Sequence, residues 1–315
     1  MLSTAMNETT IPDADDPSWD HRFVHVNGVR LHYVHAGTGP LVVLLHGFPE
    51  FWYAWRRQIR RLAAAGYCVI APDLRGYNLS TKPTAVGAYR LRVVADDIRD
   101  LIASTGAKHA SIVGHDWGAA VAWATAMRHP ECVERLAILN GPHPVRMLLG
   151  LSNPEQLRRS AYILFFQLPW LPEYMTRRHG WKALLSVFER SGALARWAPS
   201  EVAAYRQAYQ KEGAITAMIN YYRALLRPTL ASWPRRVDAP VLVLWGQRDP
   251  YLASWLARPP RAWAPRARVE FLPEQGHFIQ HEAPGWVAER LIAFLQDNEW
   301  ANASRRERAR EPAVV

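Results

Sequence analysis

The feature that most constrains this chain is the stretch ASIVGHDWGAAVA, residues 110–122. It opens with an apolar run typical of a buried strand and ends in an alanine-rich run typical of a helix packed closely on a sheet. Gly114 and Gly118 flank the turn between them, where glycine tolerates strained backbone and close packing. A strand, a sharp turn and a helix with one functional side chain at the tip form a nucleophile elbow. The pattern places Asp116 at that tip.

An aspartate at this position favours one kind of chemistry. Attack by a carboxylate on a carbonyl gives an anhydride, whereas attack on a saturated carbon gives an ordinary ester that water can cleave. An isolated aspartate here could instead be the N-cap of the helix that begins at Trp117. The two glycines, and the partners described below, favour Asp116 as a nucleophile.

The hydrophobic pattern alternates between strands and helices. An Asn27-Gly28 turn predicts an antiparallel hairpin at the start of the sheet. Apolar runs and helical spacings follow in alternation, which predicts a doubly wound, mostly parallel α/β sheet. Besides the apolar run at 112–113 that leads into the elbow, the predicted strands span residues 23–26, 29–36, 41–45, 67–71, 133–139, 241–245 and 269–272, and the predicted helices span 52–64, 91–104 and 284–296.

The alternation of strands and helices stops between the predicted strands at 133–139 and 241–245. Residues 145–231 have helical patterns rich in aromatics and proline, which predicts a helical cap over the carboxyl ends of the strands, where ligands bind in open α/β sheets. The sequence therefore predicts a core made of residues 21–144 and 232–297. Residues 1–20 are expected to be a flexible leader, and residues 298–315, which contain RRERAR, a disordered tail.

Two further polar residues follow predicted strands. Asp249 comes after the strand that ends at residue 245, and His277 comes after the last strand. The chain order Asp116, Asp249, His277 is the order nucleophile, acid, histidine of α/β-hydrolases. A lone histidine or acid in a loop is usually incidental, but three such residues in this order predict a catalytic triad. In it, Asp249 would orient His277, and His277 would activate water.

Composition excludes several other classes of protein. The net charge is +10, but the arginines are spread along the chain, so we expect no nucleic-acid binding. No apolar run is long enough to cross a membrane, and no apolar segment typical of a secretory signal precedes the first strand. Two cysteines, Cys68 and Cys132, are typical of a reducing compartment, which predicts a cytoplasmic protein.

Across about residues 22–297 the chain resembles the epoxide hydrolases of the α/β-hydrolase fold. The motifs that carry the resemblance are HGFPE (46–50), DLRGYNLS (73–80), GHDWGA (114–119), GQRDP (246–250) and GHFIQHEAP (276–284). The resemblance implies an α/β-hydrolase fold with a helical cap inserted between strands 6 and 7. It also implies hydrolysis of an epoxide to a vicinal diol through a covalent ester on Asp116.

The resemblance also implies roles for residues outside the triad. Tyr162, in YILFFQLP, and Tyr222, in NYYRA, match the tyrosines that hold the epoxide oxygen, although Tyr221 is an alternative to Tyr222. A phenol, with a pKa of about 10, can protonate the alkoxide as it leaves. The backbone N–H groups of Trp117 and Phe48 would form the oxyanion hole, and the Phe48-Pro49 peptide bond would be cis.

Aromatic side chains around the predicted site favour an apolar epoxide, with water as the second substrate. The residues predicted to contact substrate are Phe48, Trp117, Phe165, Phe166 and Trp170. The sequence contains no metal-ligand cluster and no GxGxxG motif after a strand, so we expect neither a metal nor a cofactor. A monomer or a homodimer is expected. Asp73 and Arg75 are predicted to form a structural pair or turn, and His46 and His115 to support the loops beneath the site.

Two alternatives remain open on the sequence. A haloalkane or haloacid dehalogenase uses the same Asp-His-Asp triad, but its leaving halide needs N–H donors rather than phenols. Phe48 and Trp117 stand where such enzymes commonly have asparagine and, in the haloacid group, arginine. The second alternative is a non-catalytic, ligand-binding α/β-hydrolase, which usually lacks a triad member; this chain keeps all three.

Overall fold

A computed structural model describes residues 19–225 and 236–297 of the chain. Eight strands form one sheet in the order β1-β2-β4-β3-β5-β6-β7-β8. The strands are β1 (Trp19–Val26), β2 (Val29–Ala36), β3 (Leu41–Leu45), β4 (Cys68–Pro72), β5 (Ala110–His115), β6 (Val133–Leu139), β7 (Val241–Gly246) and β8 (Ala267–Leu272). β1 and β2 are antiparallel, as are β2 and β4, and all later pairs are parallel. The predicted fold class is confirmed.

The central strands are apolar because both of their faces are covered. Every residue of β3, β5 and β7 is buried, as expected for parallel strands that lie between two layers of helices. The helices beside the sheet are α1 (Arg56–Ala64), α2 (Leu91–Ser104), α3 (Trp117–Arg128), α11 (Ile279–Glu282) and α12 (Pro284–Gln296). Among them, α2 packs against α3, and α1 packs against α12.

Between β6 and β7 the described residues form seven short helices and one 3-10 turn, and we call residues 144–225 the helical segment. Its helices are α4 (Pro144–Gly150), α5 (Pro154–Arg159), α6 (Tyr162–Phe165), α7 (Leu171–Arg177), α8 (Lys182–Arg190), α9 (Pro199–Gln210) and α10 (Ala214–Leu225), with the 3-10 turn Leu194–Arg196 between α8 and α9. The predicted return to the core at residue 232 lies outside the described residues, as do residues 1–18 and the predicted tail at 298–315.

Some boundaries differ from the prediction. β1 begins at Trp19, so the sheet starts inside the segment predicted to be a flexible leader. The predicted helix at 52–64 divides into a 3-10 turn, Trp52–Trp55, followed by α1. All four residues of that turn are buried, and three of them, Trp52, Tyr53 and Trp55, have large side chains, which fixes the turn by packing rather than by helical periodicity. No helix within the described ranges is long and apolar enough to span a membrane.

The parallel register brings the functional loops to one edge of the sheet. Leu45 pairs with Gly114, His115 with Leu139, and Gly246 with Leu272. The residues that follow these strands are therefore neighbours although they are far apart in sequence. The loops at His46, Asp116 and Asn140, and those leading to Asp249 and His277, consequently lie at the carboxyl edge.

Candidate active site

Asp116 occupies a strained turn between β5 and α3. Its φ is +51° and its ψ is −116°, a conformation that residues other than glycine rarely adopt. The backbone bends so sharply that a Cβ at Gly114 would lie 2.4 Å from the Gly118 carbonyl oxygen, and a Cβ at Gly118 would lie 2.1 Å from the Leu45 carbonyl oxygen. Only glycine can occupy these two positions, so the turn holds the carboxylate at its tip.

The structure brings together the three residues predicted to form a triad. Nε2 of His277 lies 3.4 Å from Oδ2 of Asp116, and Nδ1 of His277 donates to Oδ2 of Asp249 over 2.7 Å. Asp249 also accepts hydrogen bonds from Asn140 Nδ2 (2.8 Å) and from the backbone N–H of Tyr251 (2.7 Å). Because its oxygens are satisfied in this way, the buried Asp249 holds the imidazole ring in one orientation, with Nε2 towards Asp116.

The charges around His277 control its protonation. Burial alone would lower the pKa of His277, but the carboxylates of Asp249 and Asp116 outweigh it and raise that pKa to about 10. Burial likewise raises the pKa of Asp249, but His277 and the hydrogen bonds from Asn140 and Tyr251 outweigh it and lower that pKa overall. The imidazole is therefore a cation between two carboxylates at neutral pH. Loss of the charge on Asp116 would remove one of the two groups that favour this cation.

The other oxygen of Asp116 faces the loop after β3. The backbone N–H of Phe48 donates to Oδ1 of Asp116 over 2.8 Å, and the Phe48-Pro49 peptide bond is cis, as the sequence resemblance implied. A backbone donor at this oxygen suits a site where negative charge develops. The corresponding role of the Trp117 backbone N–H stays a prediction.

Asp116 opens into a chamber of 370 Å³ beneath the helical segment. Its walls combine Asp116 and His277 with residues of α6, α7, α8 and α10. The lining residues are Phe48, Asp116, Tyr162, Phe165, Phe166, Met175, Thr176, Ala183, Leu184, Ser186, Val187, Arg190, Tyr222, Tyr251 and His277. This volume falls in the range of small-molecule sites, and the mainly apolar walls favour an apolar ligand.

Two phenols, those of Tyr162 and Tyr222, line the same chamber as Asp116. The rings of Tyr162 and Tyr222 pack edge-on with their centroids 5.7 Å apart, and the ring of Trp117 packs edge-on against Tyr222 at 5.0 Å. Burial, with the nearby charge of Asp116, raises the pKa of Tyr162, and burial raises that of Tyr222 well above its ordinary value. Both phenols are therefore neutral, and each carries a proton that it can donate.

The structure distinguishes Tyr222 from its neighbour. The hydroxyl of Tyr221 donates to the Arg75 carbonyl over 2.9 Å, and the ring packs against Tyr77 and Tyr89. Tyr221 is thus bound to the core loop, whereas Tyr222 lines the chamber.

Two predicted substrate contacts lie elsewhere. Trp170 is 70% exposed and lines an outer groove with Tyr174 and Arg178 rather than the chamber. It precedes α7 with a φ of +51°, whereas Phe165 and Phe166 line the chamber. Trp117 packs edge-on against Tyr222, with ring centroids 5.0 Å apart, and is not among the residues that line the chamber.

Glu50 was not among the predicted site residues, yet it is central to the layer beneath the site. It is fully buried and accepts from the Gly47 N–H (3.0 Å), from His115 Nδ1 (2.8 Å) and from His281 Nε2 (2.8 Å). Burial raises the pKa of Glu50, but His115 and His281 outweigh it and hold that pKa well below its ordinary range. His115 Nε2 in turn donates to the His277 carbonyl over 3.0 Å. The network thus links the Phe48 loop to the His277 loop.

Asp73 and Arg75 do not pair with each other, although Arg75 does lie in a turn, closed by the Tyr77 N–H donating to the Leu74 carbonyl over 3.0 Å. Asp73 accepts instead from His32 Nδ1 (2.7 Å) and from the Trp52 N–H (3.0 Å). Arg75 forms a bidentate pair with Asp97 of α2. The two side chains diverge because each has a different buried partner. His46 and His115 do support loops beneath the site, as expected, and Nε2 of His46 accepts from the Leu74 N–H over 3.0 Å.

Tyr251 and Arg190 are two further residues that the sequence did not indicate. The Tyr251 ring lies 5.2 Å from the His277 ring and 6.3 Å from the Tyr162 ring, so it lines the chamber beside His277. Within residues 19–225 and 236–297, no group of three or more His, Cys, Asp or Glu is arranged to hold a metal ion.

Comparison with known proteins identifies the family. A family model described as alpha/beta hydrolase fold matches residues 40–284. The chain belongs to the α/β-hydrolase fold family. Its similarity to the epoxide hydrolases of that family, predicted from the sequence motifs, is confirmed by the following relatives, and the chain is accordingly a hydrolase.

Several relatives share most of their length with this chain. The AB hydrolase superfamily protein YfhM of Bacillus subtilis is 42% identical over 279 residues, which cover 88% of this chain and 98% of that protein. Mouse epoxide hydrolase 3 is 37% identical over 87% of this chain and 76% of its own length. Among solved structures, a Bacillus megaterium epoxide hydrolase in complex with an inhibitor is 33% identical with a TM-score of 0.80, covering 88% of this chain and 100% of that one.

Proposed function

We propose that this α/β-hydrolase converts an epoxide to a vicinal diol. The observation that carries the proposal is the chamber in which Tyr162 and Tyr222 face Asp116, with His277 behind the carboxylate. A nucleophile on one side of a bound ring, and neutral phenols on the other, suit opening of a strained C–O bond. The epoxide hydrolases of mouse and Bacillus megaterium, to which the chain is similar, support the same reaction.

In the first step, an oxygen of Asp116 attacks one epoxide carbon in line with the C–O bond. An ester forms on Asp116, the C–O bond breaks, and its electron pair goes to the leaving oxygen. Tyr162 and Tyr222 hydrogen-bond that oxygen and supply its proton. The helical segment, which carries both tyrosines, acts as a cap over the chamber. General acid assistance of this kind accelerates a reaction by roughly 10² to 10⁴.

In the second step, water cleaves the ester. Esterification neutralises Asp116, so the pKa of His277 falls. The imidazolium then returns a proton to the tyrosinate that was formed in the first step, and the neutral imidazole can take a proton from water. The resulting hydroxide attacks the Asp116 carbonyl carbon while Asp249 stabilises the imidazolium. The Phe48 N–H, already 2.8 Å from Oδ1, stabilises the oxyanion, an interaction typically worth about 3 to 4 kcal/mol.

The arrangement around Trp117 favours this reaction over dehalogenation. A departing halide needs N–H donors, and the indole of Trp117 is the side chain next to the nucleophile that could supply one. Its ring, however, packs edge-on against Tyr222, and Trp117 is not among the residues that line the chamber, whereas Tyr162 and Tyr222 are. The chamber therefore offers phenols to the leaving atom, which an alkoxide needs and a halide does not.

A paired substrate assay tests the proposal. Purified protein is given styrene-type, aliphatic and fatty-acid epoxides, and diol formation is followed. A matched series of haloalkanes and haloacids is followed by halide release. We expect diol from at least one epoxide, no halide release, and no diol with Asp116→Ala. Halide release without diol formation would favour a dehalogenase, and turnover of neither series would favour the non-catalytic alternative.

A further inference from the structure

A second groove, with a volume of 600 Å³, adjoins the catalytic chamber. Arginines dominate its walls, which are lined by Arg158, Arg159, Tyr162, Arg190, Gln247, Arg248, Asp249, Pro250 and Tyr251. Asp249 is the single carboxylate among these lining residues. Its oxygens already accept from His277, Asn140 and the backbone. The groove therefore has a strongly positive potential.

Two of the four guanidinium groups have acidic partners at the rim. Arg159 pairs with Glu155 over 2.8 Å and donates to the Asp249 carbonyl, and Arg248 pairs with Glu274. Arg158 and Arg190 are exposed, and neither has an acidic partner among the residues that the structure describes. Their guanidinium groups are free to bind an anion that enters from solvent.

The groove and the chamber share a wall. Tyr162, Arg190 and Tyr251 line both cavities. The Tyr251 hydroxyl donates to the Val187 carbonyl of α8 over 3.0 Å, which ties the ring to the helix that ends at Arg190. The charge of Arg190 reaches this ring: burial raises the pKa of Tyr251 to about 12, while Arg190 opposes the rise. Arg190 thus stands at the junction between an apolar chamber and a cationic groove.

We propose that the groove binds an anionic group carried by the substrate, so that the protein selects epoxides that bear a carboxylate or phosphate. The part of this inference that concerns the epoxide rests on the proposed function, whereas the binding of an anion in the groove does not. The oxirane occupies the chamber between Asp116 and the two phenols, and the rest of the substrate passes Tyr251. Its anionic end reaches Arg190 and Arg158, whose planar guanidinium groups bind such oxygens in a bidentate manner.

A pair of substrates that differ only in charge tests the groove. The probes are para-(glycidyloxy)benzoate and the neutral para-(glycidyloxy)benzamide, which have nearly the same shape. The quantity compared is the ratio of their kcat/KM values in the wild type, in Arg158→Gln/Arg190→Gln and in Arg92→Gln. Arg92 is an exposed arginine of α2 outside both cavities, so its replacement removes one charge without touching the groove.

We expect the benzoate to be preferred by the wild type, and the double variant to reduce the ratio about ten-fold, mainly through the KM for the benzoate. Added salt should reduce the ratio in the wild type but have little effect in the double variant. The Arg92→Gln ratio should match that of the wild type. Equal ratios in the double variant and the Arg92→Gln control would overturn the inference.

A binding measurement separates this inference from the proposed function. Isothermal titration calorimetry with the diols derived from the two probes needs no turnover. Tighter binding of the benzoate diol to the wild type, lost in the double variant, would support the groove even if neither epoxide were hydrolysed. If the two diols bind equally to both proteins, the groove does not recognise anions, whatever the activity.

Discussion

Removal of the Tyr222 hydroxyl should slow formation of the ester without disturbing the fold. In Tyr222→Phe the leaving oxygen keeps Tyr162 as a donor and loses the second one. A hydrogen bond to a charged group is worth about 1.5 to 3 kcal/mol, and each 1.4 kcal/mol is about ten-fold in rate. The expected loss is thus about 10- to 150-fold in the rate of alkylation. In Tyr162→Phe/Tyr222→Phe, where both donors are lost, the decrease should be larger still.

Tyr221→Phe is a matched control, because it removes the same atom from the neighbouring residue. That hydroxyl donates to the Arg75 carbonyl and faces away from the chamber. The control should lower stability by about 1 kcal/mol, as for an ordinary hydrogen bond, and leave alkylation unchanged. Stopped-flow fluorescence of the tryptophans in a single turnover measures alkylation, and denaturant unfolding measures stability. Equal alkylation rates in Tyr222→Phe and Tyr221→Phe would refute the role given to Tyr222.

Three further predictions concern stability, each measured by denaturant unfolding. Glu50→Gln should destabilise the fold by about 3 to 5 kcal/mol at neutral pH, since it breaks a buried ionic network, and the difference should shrink below pH about 4.5. Gly118→Ala should prevent folding, because its Cβ would lie 2.1 Å from the Leu45 carbonyl oxygen, whereas Gly87→Ala meets nothing within 4 Å and should be tolerated. The pKa of His277 is raised on folding, so its contribution should be complete below pH about 6.5 and decline towards about 10, a decline that is absent in His277→Gln. A folded Gly118→Ala protein would contradict the argument about the elbow. The argument about His277 would be contradicted if the wild type and His277→Gln had the same dependence of stability on pH.

The elbow and the triad could be predicted from the sequence because parallel strands bring their carboxyl ends together. Once Asp116, Asp249 and His277 were each placed just after a strand, the topology required them to be close. The two glycines at the elbow indicated its geometry directly, because no other residue can occupy those positions. Such features could be predicted because they depend on how far a residue lies from a strand or a glycine along the chain, which can be counted in the sequence.

Other features depend on packing between distant segments. Tyr221 and Tyr222 are adjacent on α10, so their side chains point about 100° apart, and only contact with the Arg75 loop and with Tyr162 determines which one faces the chamber. Trp170 follows the aromatic pattern of its neighbours and is nevertheless exposed.

The role of Glu50 had a signal that could have been used. It is the single carboxylate between the apolar run of β3 and the aromatic turn at Trp52–Trp55. A carboxylate in such surroundings is buried only with partners, so nearby motif histidines, such as His115 and His281, are its natural candidates.

The central claim is that Asp116 carries the substrate as an ester. Intact-protein mass spectrometry of His277→Gln, mixed with an epoxide that the wild type hydrolyses, measures this most directly. Without the imidazole the ester should persist, and the protein should gain the mass of one epoxide, with peptide mapping placing the added mass on Asp116. A folded His277→Gln protein that shows no added mass, or that carries it on another residue, would contradict the account.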